Sequence, residues 1–340
     1  MNEAKLMIPE SKRVAVQNAL LETFGVTAPD EITLLTGGLS TALVLKIAVK
    51  GQPYVLRVIM HQDAFKDPAR HFTCMRAAAG AGVAPPVLYT NDAHGISITR
   101  FIDSTSPVGF PVLPHLVQLI RTIHSLPLFP PLMRCLDGVD AFIQQFQATR
   151  ILPPGATAEH LALYAQIQRS YPRYDPDLVS SHNDLNPNNI LFDGTRLWIV
   201  DWEAAFASDR YVDLANVANS FVSTEEAEED LLKGYFGDTL NDYHRARFFL
   251  MRQVSHMCFG TVFMNLAAAA KPPGATADPD MNVPSLREFY QLFRTGKLDP
   301  RTAFSSFEGR LLYGKVLLNE SLGMMRTPRF AESIGRMQQT

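Results

Sequence analysis

SHNDLNPNNILFDGTRLWIVDWE, residues 181–203, decides how this chain is read. It sets His182, Asp184 and Asn189 close together, follows them with a turn at Asp193-Gly194, and closes an apolar run with Asp201. Asn186, Pro187 and Asn188 are poor helix and strand formers, so the stretch from Asp184 to Asn189 is expected as a loop. Residues 190–192 and 197–200 are short apolar runs split by Asp-Gly, the pattern of a β-hairpin. Such a hairpin returns Asp201 toward Asn189, so that both reach one ion.

Side chains in this order suit phosphoryl transfer from a nucleotide to a hydroxyl. The hydroxyl needs a carboxylate that orients it and takes its proton, a task for Asp184. Magnesium takes hard oxygen donors, one or two of them carboxylates, a task for Asn189 and Asp201. A metal-hydrolase reading of His182 and Asp184 is weaker, because no His-rich segment stands at ligand spacing. Asp-Asn-Pro clusters are more often plain turns, but the ordered run of D, N, hairpin, D-W-E and D-L-A is specific.

The segment resembles the catalytic segment of the aminoglycoside phosphotransferase and choline kinase superfamily, relatives of the protein kinases. That family carries H-x-D-x-x-x-x-N, a hairpin, and then D-[WF]-E or D-x-G. Here these are His182, Asp184, Asn189 and Asp201-Trp202-Glu203, the last closer to the choline kinase branch. The resemblance implies an α+β, bilobal, protein-kinase-like fold. A small nucleotide-binding N-lobe with an antiparallel sheet and helices would span residues 1–103. A larger, mainly helical C-lobe, catalytic and acceptor-binding, would span 104–340. It implies Asp184 as catalytic base, His182 as support of the loop, Asn189 and Asp201 as magnesium ligands, and ATP with Mg2+ as cofactors. Glu203 and Trp202 become candidate substrate contacts. Asp213, in the run DRYVDLA at 209–215, matches the Asp that braces the catalytic loop from a helix start.

Upstream, residues 34–41 read LLTGGLST and precede two apolar runs broken at Gly51-Gln52. This reads as strand, glycine-rich turn, strand, hairpin, strand, and glycines there let backbone N–H groups cradle phosphate oxygens. It resembles the family's nucleotide loop, with Gly37, Gly38, Ser40 and Thr41 as phosphate contacts. Arg57, in VLRV of the third strand, stands where protein kinases place a phosphate-binding Lys and where the choline kinase branch often has Arg. The backbone of Arg100, Phe101 and Ile102, after ISIT, is expected to meet the adenine. One residue departs from the pattern. The helix over 63–80 carries His71 where the family usually has a Glu that pairs with the phosphate-binding base.

Composition bounds the rest. The chain has 340 residues, 46% hydrophobic, and a formal net charge of -3, ordinary for a globular enzyme and without a nucleic-acid footprint. Three scattered cysteines, Cys74, Cys135 and Cys258, point to a reducing compartment, and no apolar run is long enough to span a bilayer. The expectation is a cytoplasmic protein without membrane or nucleic-acid partners; its oligomeric state is open.

Helical periodicity over 11–24 predicts Val14, Leu20, Leu21 and Phe24 as buried, with Gly25 ending the helix. Further helices are expected over 112–126, 137–150, 156–170, 243–270, 285–294 and 300–325. The acid-rich residues 225–230 follow Ser223-Thr224 and read as a capped helix start before they read as a cation site.

The acceptor is least legible. A quaternary ammonium wants aromatic faces, for which Phe259, Phe263, Tyr290 and Phe304 are available, and an aminoglycoside wants an acidic cleft. The first reading is a choline- or ethanolamine-like small molecule, the second an antibiotic such as an aminoglycoside. A nucleotide-binding pseudokinase or regulatory module, supported by His71, is the reading from another class.

Overall fold

A five-stranded antiparallel sheet and a set of helices make an α+β fold in the computed structural model, which describes residues 7–35, 42–63, 65–172 and 178–338. Gly37, Gly38, Ser40 and Thr41 of the expected phosphate loop lie outside the described residues. In chain order the elements begin with α1 (Glu10–Phe24), β1 (Glu31–Leu34), β2 (Leu43–Val49), β3 (Gln52–Val58), α2 (Pro68–Gly80), β4 (Val87–Asn91), β5 (Ile96–Arg100) and α3 (Val112–His124). There follow α4 (Cys135–Thr149), α5 (Ala158–Ser170), β6 (Leu178–Ser181), β7 (Ile190–Phe192), β8 (Leu197–Ile199), β9 (Phe206–Asp209) and α6 (Arg210–Phe221). The last are α7 (Glu225–Phe236), α8 (Asp242–Ala270), α9 (Leu286–Arg294), α10 (Pro300–Ser305), α11 (Phe307–Met325) and α12 (Pro328–Gln338). The chain divides into two compact units, residues 1–132 with 178–213, and residues 133–177 with 214–340.

In the first unit the sheet runs β1-β2-β3-β5-β4. Alternation along β2 and β3 sends Leu45, Ile47 and Leu56 to one face, where they meet Ile96 and Ile98 of β5 and the underside of α1. Each such fully buried aliphatic side chain stabilises the fold by about 1.5–3 kcal/mol. The β2–β3 hairpin turns at Lys50 and Gly51, whose φ of 52° and 72° suit a two-residue turn that follows strand twist.

Helix α1 corrects an expectation. Val14 and Leu21 are 68% and 51% exposed, while Ala15, Val16, Ala19 and Leu20 are buried. The alanines let the helix lie close to the sheet, and closeness outweighs side-chain size in choosing the buried face. Gly25 ends the helix with φ 73°, as expected. Helix α2 begins later than its pattern suggested. Pro68 opens it and Asp67 caps it by accepting from the Ala69 N–H at 3.0 Å.

The second unit is built around the 29-residue helix α8, against which α4, α11 and α12 pack. Where α8 meets α11, Gly260 faces Leu318 and Gly314. The expected helix over 300–325 is two helices, because Ser306 accepts the Gly309 N–H at 3.0 Å and so starts α11 afresh. The acidic run behaves as a helix start. Thr224 caps α7, Glu228 is buried between Arg252 at 2.6 Å and Arg329 at 2.5 Å, and Glu229 pairs with Arg245 at 2.8 Å.

Three of the aromatics considered for a cation box, Phe263, Tyr290 and Phe304, instead pack into an aromatic core around Phe289 and Tyr313. There the Tyr290 and Tyr313 hydroxyls lie 3.1 Å apart, and burial raises both phenol pKa values. Among the described residues no helix is long and apolar enough to cross a membrane.

Candidate active site

Strands β6 and β9 pair antiparallel and carry between them the loop and hairpin of residues 182–205, all within the first unit. The loop is tied down from below by Asp213, in the first turn of α6. Its carboxylate is fully buried and accepts the backbone N–H of His182 at 2.9 Å and of Asn183 at 2.7 Å, with His124 Nε2 at 3.1 Å. Burial alone would raise the Asp213 pKa, but the bond from His124 and the nearby histidine charges outweigh it, and the net shift is downward. Asn183 needs that support, because its φ of 64° lies in the left-handed region. Its side-chain amide also donates to the Ala204 carbonyl at 3.0 Å.

His182 is a brace. Its Nε2 lies 3.0 Å from the Val200 carbonyl, and the Asp184 N–H points at Nδ1 across 3.3 Å. Together these contacts fix the orientation of the ring beneath the loop. Trp202 lies edge-on to its ring at 4.7 Å, is only 1% exposed, and gives its indole N–H to the Ile199 carbonyl at 3.2 Å. This corrects the expectation of Trp202 as a substrate contact: the ring is packing beneath the loop.

Above the brace, Asp184 accepts from Asn186 Nδ2 at 3.0 Å and from Asn189 Nδ2 at 2.9 Å. Burial pushes its pKa up and the charge of Asp201 adds to the rise, against lowering by the Asn186 bond, the charge of His182 and the Asn189 bond. A 3-10 turn at Pro187–Asn189, capped by Asn186, fixes Asn189. The Asn189 carbonyl accepts the Val200 N–H at 3.0 Å, which sets the hairpin β7–β8 against the loop and brings Asp201 back as its pattern implied. Asp201 has φ 65°, a conformation that a non-glycine residue holds only where its surroundings enforce it.

The donor set fits a divalent cation. The Asn189 amide nitrogen is spent on Asp184, at 2.9 Å to the backbone oxygen and 2.9 Å to the carboxylate, which leaves the amide oxygen with acceptor capacity. Asp201 Oδ1 faces Arg57 Nη1 at 3.1 Å, and the Asp201 charge presses on Asp184, a repulsion that a further cation relieves. Among the described residues no group of three or more His, Cys, Asp or Glu side chains is placed to hold a metal. A cation here would take an amide and a carboxylate and complete its shell with phosphate and water, the habit of magnesium.

Arg57 of β3 reaches into this region. Its guanidinium pairs with Asp201 at 3.1 Å and with Glu203 at 2.5 Å. The pairing with Glu203 carried no signal in the sequence, where the two lie 146 residues apart. Helix α2 contributes Arg70, which donates to the backbone carbonyls of Glu203 at 3.0 Å, of Ala205 at 2.5 Å, and of Phe65. His71 beside it is 3% exposed. Burial, then the charges of Arg57 and Arg70, hold its pKa well below the usual imidazole range, so it is neutral. Further along, the N–H groups of Arg100 and Phe101 are taken by the Pro86 and Pro53 carbonyls, at 2.9 and 3.4 Å. Of the expected adenine-contacting backbone, these two donors are therefore already engaged.

Sheet, helix, braced loop and hairpin define a kinase-like fold with a phosphotransferase-type constellation. Residues 31–249 match the APH phosphotransferase enzyme family, and the chain belongs to it. Among curated relatives, Protein LicA of Haemophilus influenzae is 25% identical over 230 residues, 65% of this chain and 66% of that protein. Among solved structures, a choline/ethanolamine kinase family protein from Mesorhizobium loti superposes with a TM-score of 0.67 at 21% identity, covering 97% of this chain and 99% of that one. A spectinomycin phosphotransferase, solved with ADP and spectinomycin, gives 0.55 at 15% identity, over 89% of this chain and 98% of that one.

Proposed function

We propose that the protein is an ATP-dependent kinase that transfers a phosphoryl group to the hydroxyl of a small molecule, choline- or ethanolamine-like before any other. The observation that carries the reading is the convergence of Asp184, Asn189 and Asp201 on one braced loop and hairpin. In this reading Asp184 orients the acceptor hydroxyl and takes its proton. Its raised pKa suits it to the task, since a base works best with a pKa nearer the working pH. Asn189 and Asp201 hold magnesium, which neutralises charge on the nucleotide phosphates. Gly37, Gly38, Ser40, Thr41 and Arg57 meet those phosphates, and Ile102 is the remaining backbone donor of the adenine trio. The lobe boundary near residue 103 belongs to the same proposal.

Support for the nucleotide comes from the ADP in the spectinomycin phosphotransferase structure. Support for the acceptor class comes from the choline/ethanolamine kinase family likeness. An aminoglycoside-like antibiotic is the second reading, favoured by the spectinomycin phosphotransferase likeness. The test is ADP release in the presence of Mg2+ and ATP across choline, ethanolamine, thiamine, sugars and aminoglycosides, with Asp184→Asn as control. Acceptor-dependent ADP release that disappears in the variant supports the reading. ATP binding with no transfer to any acceptor supports the nucleotide-binding module.

A further inference from the structure

Arg57 stands on β3, and α2 sets a buried His71 at the position where the resemblance implies a carboxylate. A buried guanidinium needs carboxylate partners, because leaving it unpaired in a low-dielectric site is costly. Here one short segment supplies two carboxylates to it, Asp201 and Glu203. Asp201 is the residue that the proposed cation also claims, so it cannot be a dedicated partner for Arg57. Glu203 can: its Oε2 lies 2.5 Å from Nη2 of Arg57, and the pair is partly buried, with side-chain exposures of 12% and 32%. Helix α2 secures Glu203 from the other side, because Arg70 donates to the Glu203 carbonyl at 3.0 Å and to that of Ala205. The helix therefore still clasps the catalytic segment, but through an arginine on backbone oxygens.

We infer that Glu203 is the positioning residue for Arg57, taking over from the catalytic segment the task that a carboxylate on α2 would otherwise perform. Its carboxylate sets the guanidinium toward the nucleotide phosphates and holds it there when Asp201 turns to the cation. The inference rests on the phosphotransferase reading, and it moves Glu203 from contact with the acceptor to support of nucleotide binding.

The test compares wild type, Glu203→Gln, His71→Glu and the double variant His71→Glu/Glu203→Gln by calorimetric titration with Mg-ATP, alongside the acceptor KM. Glu203→Gln is expected to raise the ATP Kd about tenfold, the scale of one truncated, partly buried charge pair, with the acceptor KM little changed. Returning a carboxylate to the helix in the double variant is expected to bring Kd back to within about threefold of wild type. Wild-type ATP affinity in Glu203→Gln together with a raised acceptor KM overturns the inference and returns Glu203 to the acceptor. A double variant no better than Glu203→Gln also overturns it. A denaturation cycle of Arg57→Met and Glu203→Gln without nucleotide separates the two layers: no coupling sinks the pairing itself. Coupling in a wild-type chain that binds no ATP sinks the phosphotransferase reading and the inference with it.

Discussion

Asp213 and His182 meet at 2.9 Å, carboxylate oxygen to backbone N–H, across 31 residues of sequence. The same carboxylate takes the Asn183 N–H at 2.7 Å, so one buried side chain holds two successive peptide groups of the loop that carries Asp184. Asp213→Asn keeps the shape but replaces one acceptor oxygen with an N–H pair facing donors. The variant is expected to lose about 3–5 kcal/mol of stability, the cost of breaking a buried, charge-assisted network. Urea denaturation measures that loss. If the variant is as stable as wild type, Asp213 is not the brace.

Asp184→Asn removes the proposed base and one of the two oxygens that accept from Asn186 and Asn189, and leaves the loop's backbone bonds in place. Turnover is expected to fall by about a hundred- to ten-thousandfold, the range for a positioned general base, with ATP affinity retained. In the wild type the sign of the pH effect follows from the direction of the shift. Burial raises the Asp184 pKa, so the base is protonated, and turnover falls, at a pH above the ordinary carboxylate value of 3.8. A pH profile of kcat/KM, which reports the free enzyme, with an acid limb at or below that value would contradict the assignment.

His256 lies buried on α8, and burial, then the charge of Arg252, brings its pKa down from 6.5 to about 3. Unfolded chains bind its proton near 6.5 and the folded chain does not. The unfolded state therefore binds more protons between the two values, and stability falls as pH drops from 6.5 toward 3. Each unit of that window is worth about 1.4 kcal/mol. His256→Gln is expected to flatten the loss between pH 6.5 and 5 relative to wild type. Urea midpoints at several pH values, wild type against variant, isolate this histidine from the carboxylates titrating alongside.

The loop and hairpin of residues 182–205 were legible in the sequence because their folding signals are local. A loop of Asn and Pro, an Asp-Gly turn and two apolar runs specify a braced loop and hairpin with few long-range choices. Features that depend on distant contacts were not legible. Glu203 and Arg57 show nothing in their own neighbourhoods that announces a pair. The buried face of α1 follows from how closely Ala15 and Ala19 let it approach the sheet, not from where its largest side chains fall. Phe263, Tyr290 and Phe304 look equally apt for a ligand box or a core until the stacking of Phe289 and Tyr313 at 5.0 Å shows where they pack. The break at Ser306 had its signal, a Ser three residues before Gly309, but the continuous apolar pattern on either side masked it.

Two glycines of α11 are expected to respond to alanine with opposite signs. Helix propensity alone favours alanine over glycine by about 1 kcal/mol at both Gly309 and Gly323. At Gly323 a Cβ meets nothing within 4 Å, so propensity decides and Gly323→Ala is expected to stabilise by up to that amount. At Gly309 a Cβ would lie 2.5 Å from the Ala303 carbonyl oxygen and 2.7 Å from its Cα. Those are backbone atoms and cannot swing aside as a side-chain tip would, so the turn between α10 and α11 must open. The overpacking cost of about 1–3 kcal/mol exceeds the propensity gain, and Gly309→Ala is expected to destabilise. Thermal melts of the two variants decide the matter: a Gly309→Ala that melts above wild type means that α10 does not pack against α11 in solution as described.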